Sequence, residues 1–128
     1  MNACEDLQRA IVTLWNAEPA VGISLYFNVA DKGATIPYAV FFIDSDFERL
    51  FGGRVQPVIV QFNIYTDTPS SESVNDYVEA AKTLFDTVTL TLAGGNTMIE
   101  QMEIQSENIF QDEENRWQAT LLFTTKLR

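Results

Sequence analysis

The chain has 128 residues with 18 acidic and 8 basic side chains, a formal net charge of −10 at pH 7, one cysteine and no histidine. That length suits one domain, able to bury roughly two thirds of its unfolded surface without disulfide or metal staples. The acid excess argues against gripping nucleic acid, because phosphate binding relies on Lys and Arg releasing counterions. A lone cysteine cannot form an internal disulfide, no charged-apolar-small leader opens the sequence, and the apolar runs are broken well short of a membrane span, so the expectation is a soluble protein made in a reducing cytoplasm.

Asn2 followed by Glu5 reads as a capping box, and Cys4, Leu7, Ile11 and Leu14 then recur at helical spacing, predicting a first helix over Ala3 to Asn16. Glu18-Pro19 ends it. Ile23 to Phe27 is short and apolar, as a strand is, and Asp31 to Thr35 reads as an exposed loop. Pro37 can only open the strand that follows, since it has no N–H for a ladder. That strand runs apolar through Ile43, then alternates Asp44, Asp46 and Glu48 with Ser45, Phe47 and Arg49, so its far end leaves the core. Gly52-Gly53 turns the chain back.

From Val58, the residues Val58, Val60, Phe62 and Ile64 point one way and Gln61, Asn63 and Tyr65 the other, the period of a half-buried strand. Thr68 is placed to cap a helix with Pro69 in its first turn. Val74, Tyr77, Val78, Ala81, Leu84, Phe85 and Val88 form the apolar stripe of that helix, which therefore lies across the sheet. After the Gly94-Gly95-Asn96 break come two long strands, Thr97 to Phe110 and Trp117 to Leu127, joined by Asp112-Glu113-Glu114-Asn115, with a short extra strand allowed at Thr89 to Leu92. The expected architecture is α+β over residues 1–128. A mixed, mainly antiparallel sheet is packed by an N-terminal helix and a central amphipathic helix, and it ends in a C-terminal β-hairpin.

Without histidine, serine and cysteine nucleophiles lose their commonest partner, and no phosphate-loop pattern accompanies either glycine pair. Asp44, Asp46 and Glu48 would share one side of an extended strand and could gather oxygen ligands for Ca²⁺ or Mg²⁺. A calcium loop needs a glycine-centred turn and more ligands, so a solvated strand end is the plainer reading and no metal or cofactor is assigned. Asp112, Glu113 and Glu114 are read first as a solvated hairpin tip, although projecting loops are also where assembling proteins carry contacts. Cys4, Trp15 and Trp117 are read as packing residues.

The run Ile36-Pro37-Tyr38-Ala39-Val40-Phe41, then Gly52-Gly53, then Val58 through Tyr65 closing in Thr66-Asp67, then a helix with Ala80-Ala81-Lys82-Thr83-Leu84-Phe85, resembles the tail-completion and tail-terminator proteins of long-tailed bacteriophages. The first helix and the terminal hairpin agree with that family in order and length, so the resemblance covers nearly the whole chain. It implies a structural protein of the virion tail or neck, without turnover, made in the bacterial host cytoplasm. It further implies a six-membered ring at the head-proximal end of the tail tube, which stops tube polymerisation and offers a surface to the head-completion or connector protein. The partners so implied are further copies of the chain, the tail tube protein and the connector, with DNA passing through the lumen unbound and no membrane involved.

A negative lumen wall would prevent phosphate adhesion, so one acidic group, Asp44 with Asp46 and Glu48 or Asp112 with Glu113 and Glu114, is expected to face the channel or an interface. Two rival readings remain. One is a small ligand-binding or carboxylate-using enzyme domain in which Tyr38, Asp44 and Tyr65 supply the polar groups of a pocket. The other is a monomeric adaptor that binds one partner through a sheet edge.

Overall fold

A computed structural model describes residues 3–17, 21–45, 48–50, 53–68, 70–92 and 97–128. In chain order the elements are α1 (Ala3–Ala17), β1 (Ser24–Phe27), β2 (Tyr38–Ser45), β3 (Glu48–Leu50), β4 (Gly53–Tyr65), α2 (Glu72–Phe85), β5 (Met98–Gln111) and β6 (Trp117–Leu127). The strands form a mixed sheet in the order β1-β2-β4-β6-β5, with β3 paired to β4 off that path. Only β1 and β2 are parallel; the other pairs are antiparallel. The α+β class expected from the sequence is therefore the one observed.

Both helices lie on one face of the sheet because each presents one apolar stripe and both stripes need the same cover. Leu7, Ile11 and Trp15 of α1 and Val74, Val78, Ala81 and Phe85 of α2 are buried, together with Phe41, Val58, Val60, Phe62, Ile64, Leu121 and Phe123 from the strands. Phe62 stands at the centre. Its ring lies 6.0 Å from Trp15, 4.9 Å from Phe85, 5.8 Å from Phe41 and 5.6 Å from Phe123, so one side chain touches both helices and both neighbouring strands. The Trp15 indole N–H, which would otherwise be lost in this apolar setting, donates to the Ile23 carbonyl at 2.7 Å.

The strand alternation read from sequence holds in β4 and β6. Val58, Val60, Phe62 and Ile64 are buried while Ile59 is 45% exposed, and Ala119, Leu121, Phe123, Thr125 and Leu127 alternate with half-buried neighbours. Three local readings are corrected. Thr68 does not cap α2: its hydroxyl donates to the Ser70 carbonyl, the Ser70 hydroxyl accepts the Glu72 N–H, and the helix begins behind Ser71. Residues 89–92 do not form a strand: Leu90 is buried, and its N–H bonds to the Met98 sulfur rather than to a strand backbone. In the other direction, β4 begins five residues before the predicted start, since Gly53 to Val55 pair with the short β3. That pairing sets Leu50 opposite Gly53, so the chain does reverse where the glycine pair stands, while 51 and 52 themselves lie outside the described residues. The same holds for Asn2, for Glu18-Pro19, for Pro69 and for Gly94-Gly95-Asn96.

The segment after α2 shapes one sheet edge. Thr87 N–H donates to the Met102 carbonyl at 2.7 Å, Met102 N–H donates to the Val88 carbonyl at 2.8 Å, and Ile104 N–H donates to Asp86 Oδ1 at 3.0 Å. These bonds cover the outer edge of β5 at Met102 and Ile104, and among the described residues no backbone bond covers its second half.

Replacing Phe62 by alanine removes the ring that joins both helices to the sheet. The expected cost is about 3–5 kcal/mol, read as a lower urea midpoint with an unchanged slope.

Candidate functional site

The face of the sheet opposite the helices is built from residues that alternate with the core. Register places Tyr26, Tyr38, Val40, Phe42, Asp44, Ile59, Gln61, Asn63, Tyr65, Gln118, Thr120, Leu122, Thr124 and Lys126 on it. Its middle is polar and uncharged: Gln61 Nε2 donates to Asn63 Oδ1 at 3.0 Å and the Thr120 hydroxyl donates to the same oxygen at 3.2 Å. One end is aromatic, with Tyr38 5.8 Å from Tyr26 and 5.3 Å from Tyr65.

A parallel pair needs a connection that crosses one face of the sheet. Because α1 lies on the core side of β1 and β2, the loop from Phe27 to Tyr38 passes over the opposite face. It leaves a groove of about 410 Å³ between Asn28–Ala34 and the side chains of Tyr38, Val40, Phe42 and Tyr65. Val40 is only 5% exposed for this reason, although it has no helix above it. Val29, at the rim of the groove, is 74% exposed. The polar groups once expected to converge on a pocket do so only in part: Tyr38 and Tyr65 line this groove and Asp44 does not.

Asp44 is exposed near the other end of the face, in a depression of about 200 Å³ shared with Ile59, Glu100, Thr124 and Lys126. Lys126 Nζ lies 3.5 Å from Glu100 Oε1, so the carboxylates here have a cation among them. Asp46 lies outside the described residues, and Glu48 pairs by backbone with Val55 in β3. Among the described residues, no group of three acidic, cysteine or histidine side chains comes together as a metal site would require.

The acidic tip between β5 and β6 is an ordered turn. Asp112 Oδ1 accepts the Glu114 N–H at 2.8 Å and the Arg116 N–H at 2.9 Å, and its Oδ2 accepts from Gln118 Nε2 at 3.1 Å. The backbone closes the same turn through Asp112 N–H to the Arg116 carbonyl, and Asn115 takes a left-handed φ of 62°. The Arg116 guanidinium lies 3.5 Å from Asp112 and also pairs with Glu114. The Arg116 N–H bond, followed by the Glu114 N–H and the guanidinium, holds the Asp112 carboxyl below its ordinary value. Glu113 is exposed and has no ion pair among the described residues.

The two acidic groups singled out in the sequence are not neighbours. Asp44 sits opposite Ile59 and Thr124, whereas the tip lies beyond Trp117, which is seven positions along β6. At about 3.3 Å per residue that is roughly 23 Å of strand. Sequence reasoning missed Asp6, which is buried on α1 and lines a further depression of about 320 Å³ with Arg9, Leu14, Leu90 and Thr91. Its one signal was its place beside Leu7 on the apolar side of the helix.

No protein-family model and no curated protein matches the chain. Among solved structures it is similar to a chain in the virion of a native gene transfer agent particle, with a TM-score of 0.85 and 14% sequence identity, covering 97% of this chain and 96% of that one. At that identity the likeness establishes a shared fold across the full length of both chains.

The Asp112 turn carries its own prediction. A carboxyl whose folded pKa is lowered supports structure above its unfolded value near 3.9, and that support is lost as pH falls through the lower folded value. The amide protons of Glu114 and Arg116 should therefore shift together in a pH titration, with a midpoint below that of an ordinary aspartate. In Asp112→Ala that joint titration should be absent.

Proposed function

We propose that this chain is a structural protein of a phage-like virion and that it works without turnover. It forms a closed ring at the head-proximal end of a tail tube, ends the polymerisation of that tube and presents its other side to the head connector. The observation that carries the reading is the fold likeness to a virion chain over nearly the whole length of both proteins. It agrees with the sequence pattern from Ile36 through Phe85 that resembles tail-completion and tail-terminator proteins. A histidine-free chain without a phosphate loop, and with no group of three potential metal ligands among the described residues, suits a protein whose work is done by surfaces.

The geometry supports a definite arrangement of charge. The acidic tip and the Asp44 end lie at opposite ends of the strands, so they address different levels of a ring. Asp44 shares its depression with Lys126, whereas among the described residues Asp112, Glu113 and Glu114 have only Arg116 to offset them. The tip is therefore the group assigned to the channel mouth, where fixed negative charge keeps DNA from adhering. Asp44 is assigned to the opposite rim. The partners in this reading are further copies of the chain, with six as the expected number, the tail tube protein and the connector.

Native mass spectrometry over a series of protein and magnesium concentrations, with negative-stain imaging, tests the ring. Closed sixfold rings with a central hole are the expected result, and a chain that stays monomeric, even with tail tubes supplied, favours a single-partner adaptor instead. Because every subunit carries a charge of −10, raising salt from low ionic strength should increase the assembled fraction by screening repulsion. A steady loss of rings with added salt would speak against charge repulsion as the dominant electrostatic term.

A further inference from the structure

We propose that the ring contact is made head to tail between the two edges of the sheet. The open half of β5 meets β1 of the next copy, and Phe110 enters that copy's Tyr38–Val40–Phe42–Tyr65 groove. The proposal rests on the ring reading above and names the surface that closes it.

The two edges match in polarity. From the pairings across the sheet, β5 runs antiparallel to β6, β6 to β4 and β4 to β2, while β1 runs parallel to β2, so β5 and β1 have opposite directions. A second copy set beside the first thus offers β1 to β5 as an antiparallel neighbour, the commoner kind of pair. Both edges keep backbone groups without a partner among the described residues. Beyond Ile104 no backbone hydrogen bond reaches the outer side of β5 among the described residues, whereas Met102 and Ile104 are already bonded by residues 86–88. On β1 the further backbone bonds are Val29 N–H to the Phe27 carbonyl and Asn28 N–H back to β2 at Phe41.

The side chains agree in level and in face. Phe110 stands opposite Gln118, Gln118 opposite Tyr65, and Tyr65 opposite Tyr38, so Phe110 shares a transverse row on the helix-free face with the Tyr38–Tyr65 end of the groove. Phe110 is 38% exposed, a large apolar side chain with incomplete cover, and the groove at the far end of its row is walled by aromatic and aliphatic groups. The knob is on edge strand β5 and the groove lies on β2 and β4 under the loop that follows β1, so the contact is heterologous and closes by rotation, as a ring requires and a twofold dimer does not.

Against the net repulsion between copies, one local charge pairing fits a second copy as the occupant. Along the second half of β5 and its turn, the cations among the described residues are engaged by their own acids: Lys82 by Glu79 and Glu107, and Arg116 by Asp112 and Glu114. Glu113, three residues from Phe110, is left without an ion pair among the described residues. Lys32, exposed beside Asp31 on the loop that walls the groove, is likewise without one among the described residues. Side-by-side copies bring the acid-rich flank of one subunit to the loop carrying that cation on the next.

The test uses the full chain with Cys4→Ser, Val29→Cys and Gln111→Cys, treated with a short bismaleimide at concentrations where the untreated chain forms rings. The expected result is a ladder of covalent oligomers, with no products from either single-cysteine variant. Rings without a ladder overturn this contact and leave the ring reading standing. Dimers from one single-cysteine variant also overturn it, by showing a twofold contact. Monomers throughout, without a ladder, remove ring and contact together. In parallel, Phe110→Asp should keep the far-ultraviolet spectrum and raise the concentration for half-assembly by roughly tenfold or more, the effect expected for losing a buried aromatic side chain. Unchanged assembly of Phe110→Asp overturns the proposal.

Discussion

The stacking of Trp15, Phe85, Phe41 and Phe123 around Phe62 is the constraint on which the rest of the molecule depends. α1 packs on β1 and β2 and α2 on β4, β5 and β6, and the ring of Phe62 is stacked against both helices. With both helices committed to that face, the opposite face has no helix to cover it. Everything that distinguishes the surface of this protein follows from that asymmetry.

The connection between β1 and β2 illustrates the consequence. Parallel neighbours force the chain across a face, and the core face is already filled by α1. The loop therefore lies over the helix-free side, buries Val40 and leaves a groove lined by Tyr38, Phe42 and Tyr65. A second consequence appears on the far edge. There α2 ends over β5, and the residues that follow it bond Met102 and Ile104, so the first half of β5 is protected from stray strand pairing. The second half runs out beyond this cover to an acidic turn that is held by Asp112 rather than left loose.

Much of this was legible in the sequence. Alternation through Val58 to Ile64 and through Ala119 to Leu127 marked the central strands, because a strand with one buried face must repeat every second residue. The stripe from Val74 to Phe85 marked α2 in the same way. The start of α2 was less legible, since Thr68, Ser70 and Ser71 all have hydroxyls able to bond backbone groups and only the local geometry chooses among them. The short β3 was missed because a three-residue strand has too few positions to show a period, and it forms because Gly53 to Val55 extend β4 to meet it.

What the sequence determined by itself was local: which segments are helix or strand, which side of each is apolar, and which chemistry a histidine-free, acid-rich chain lacks. Periodicity and composition are properties of neighbouring residues, so they can be read without knowing where a segment goes. The tertiary structure alone decided the strand order β1-β2-β4-β6-β5, and with it the edges, the groove and the separation of the Asp44 end from the Asp112 tip. Those features join residues far apart in the chain, such as Phe110 and Tyr38 on one transverse row. No spacing along the sequence encodes that alignment, because it is set by the register of three successive strand pairings around one shared aromatic core.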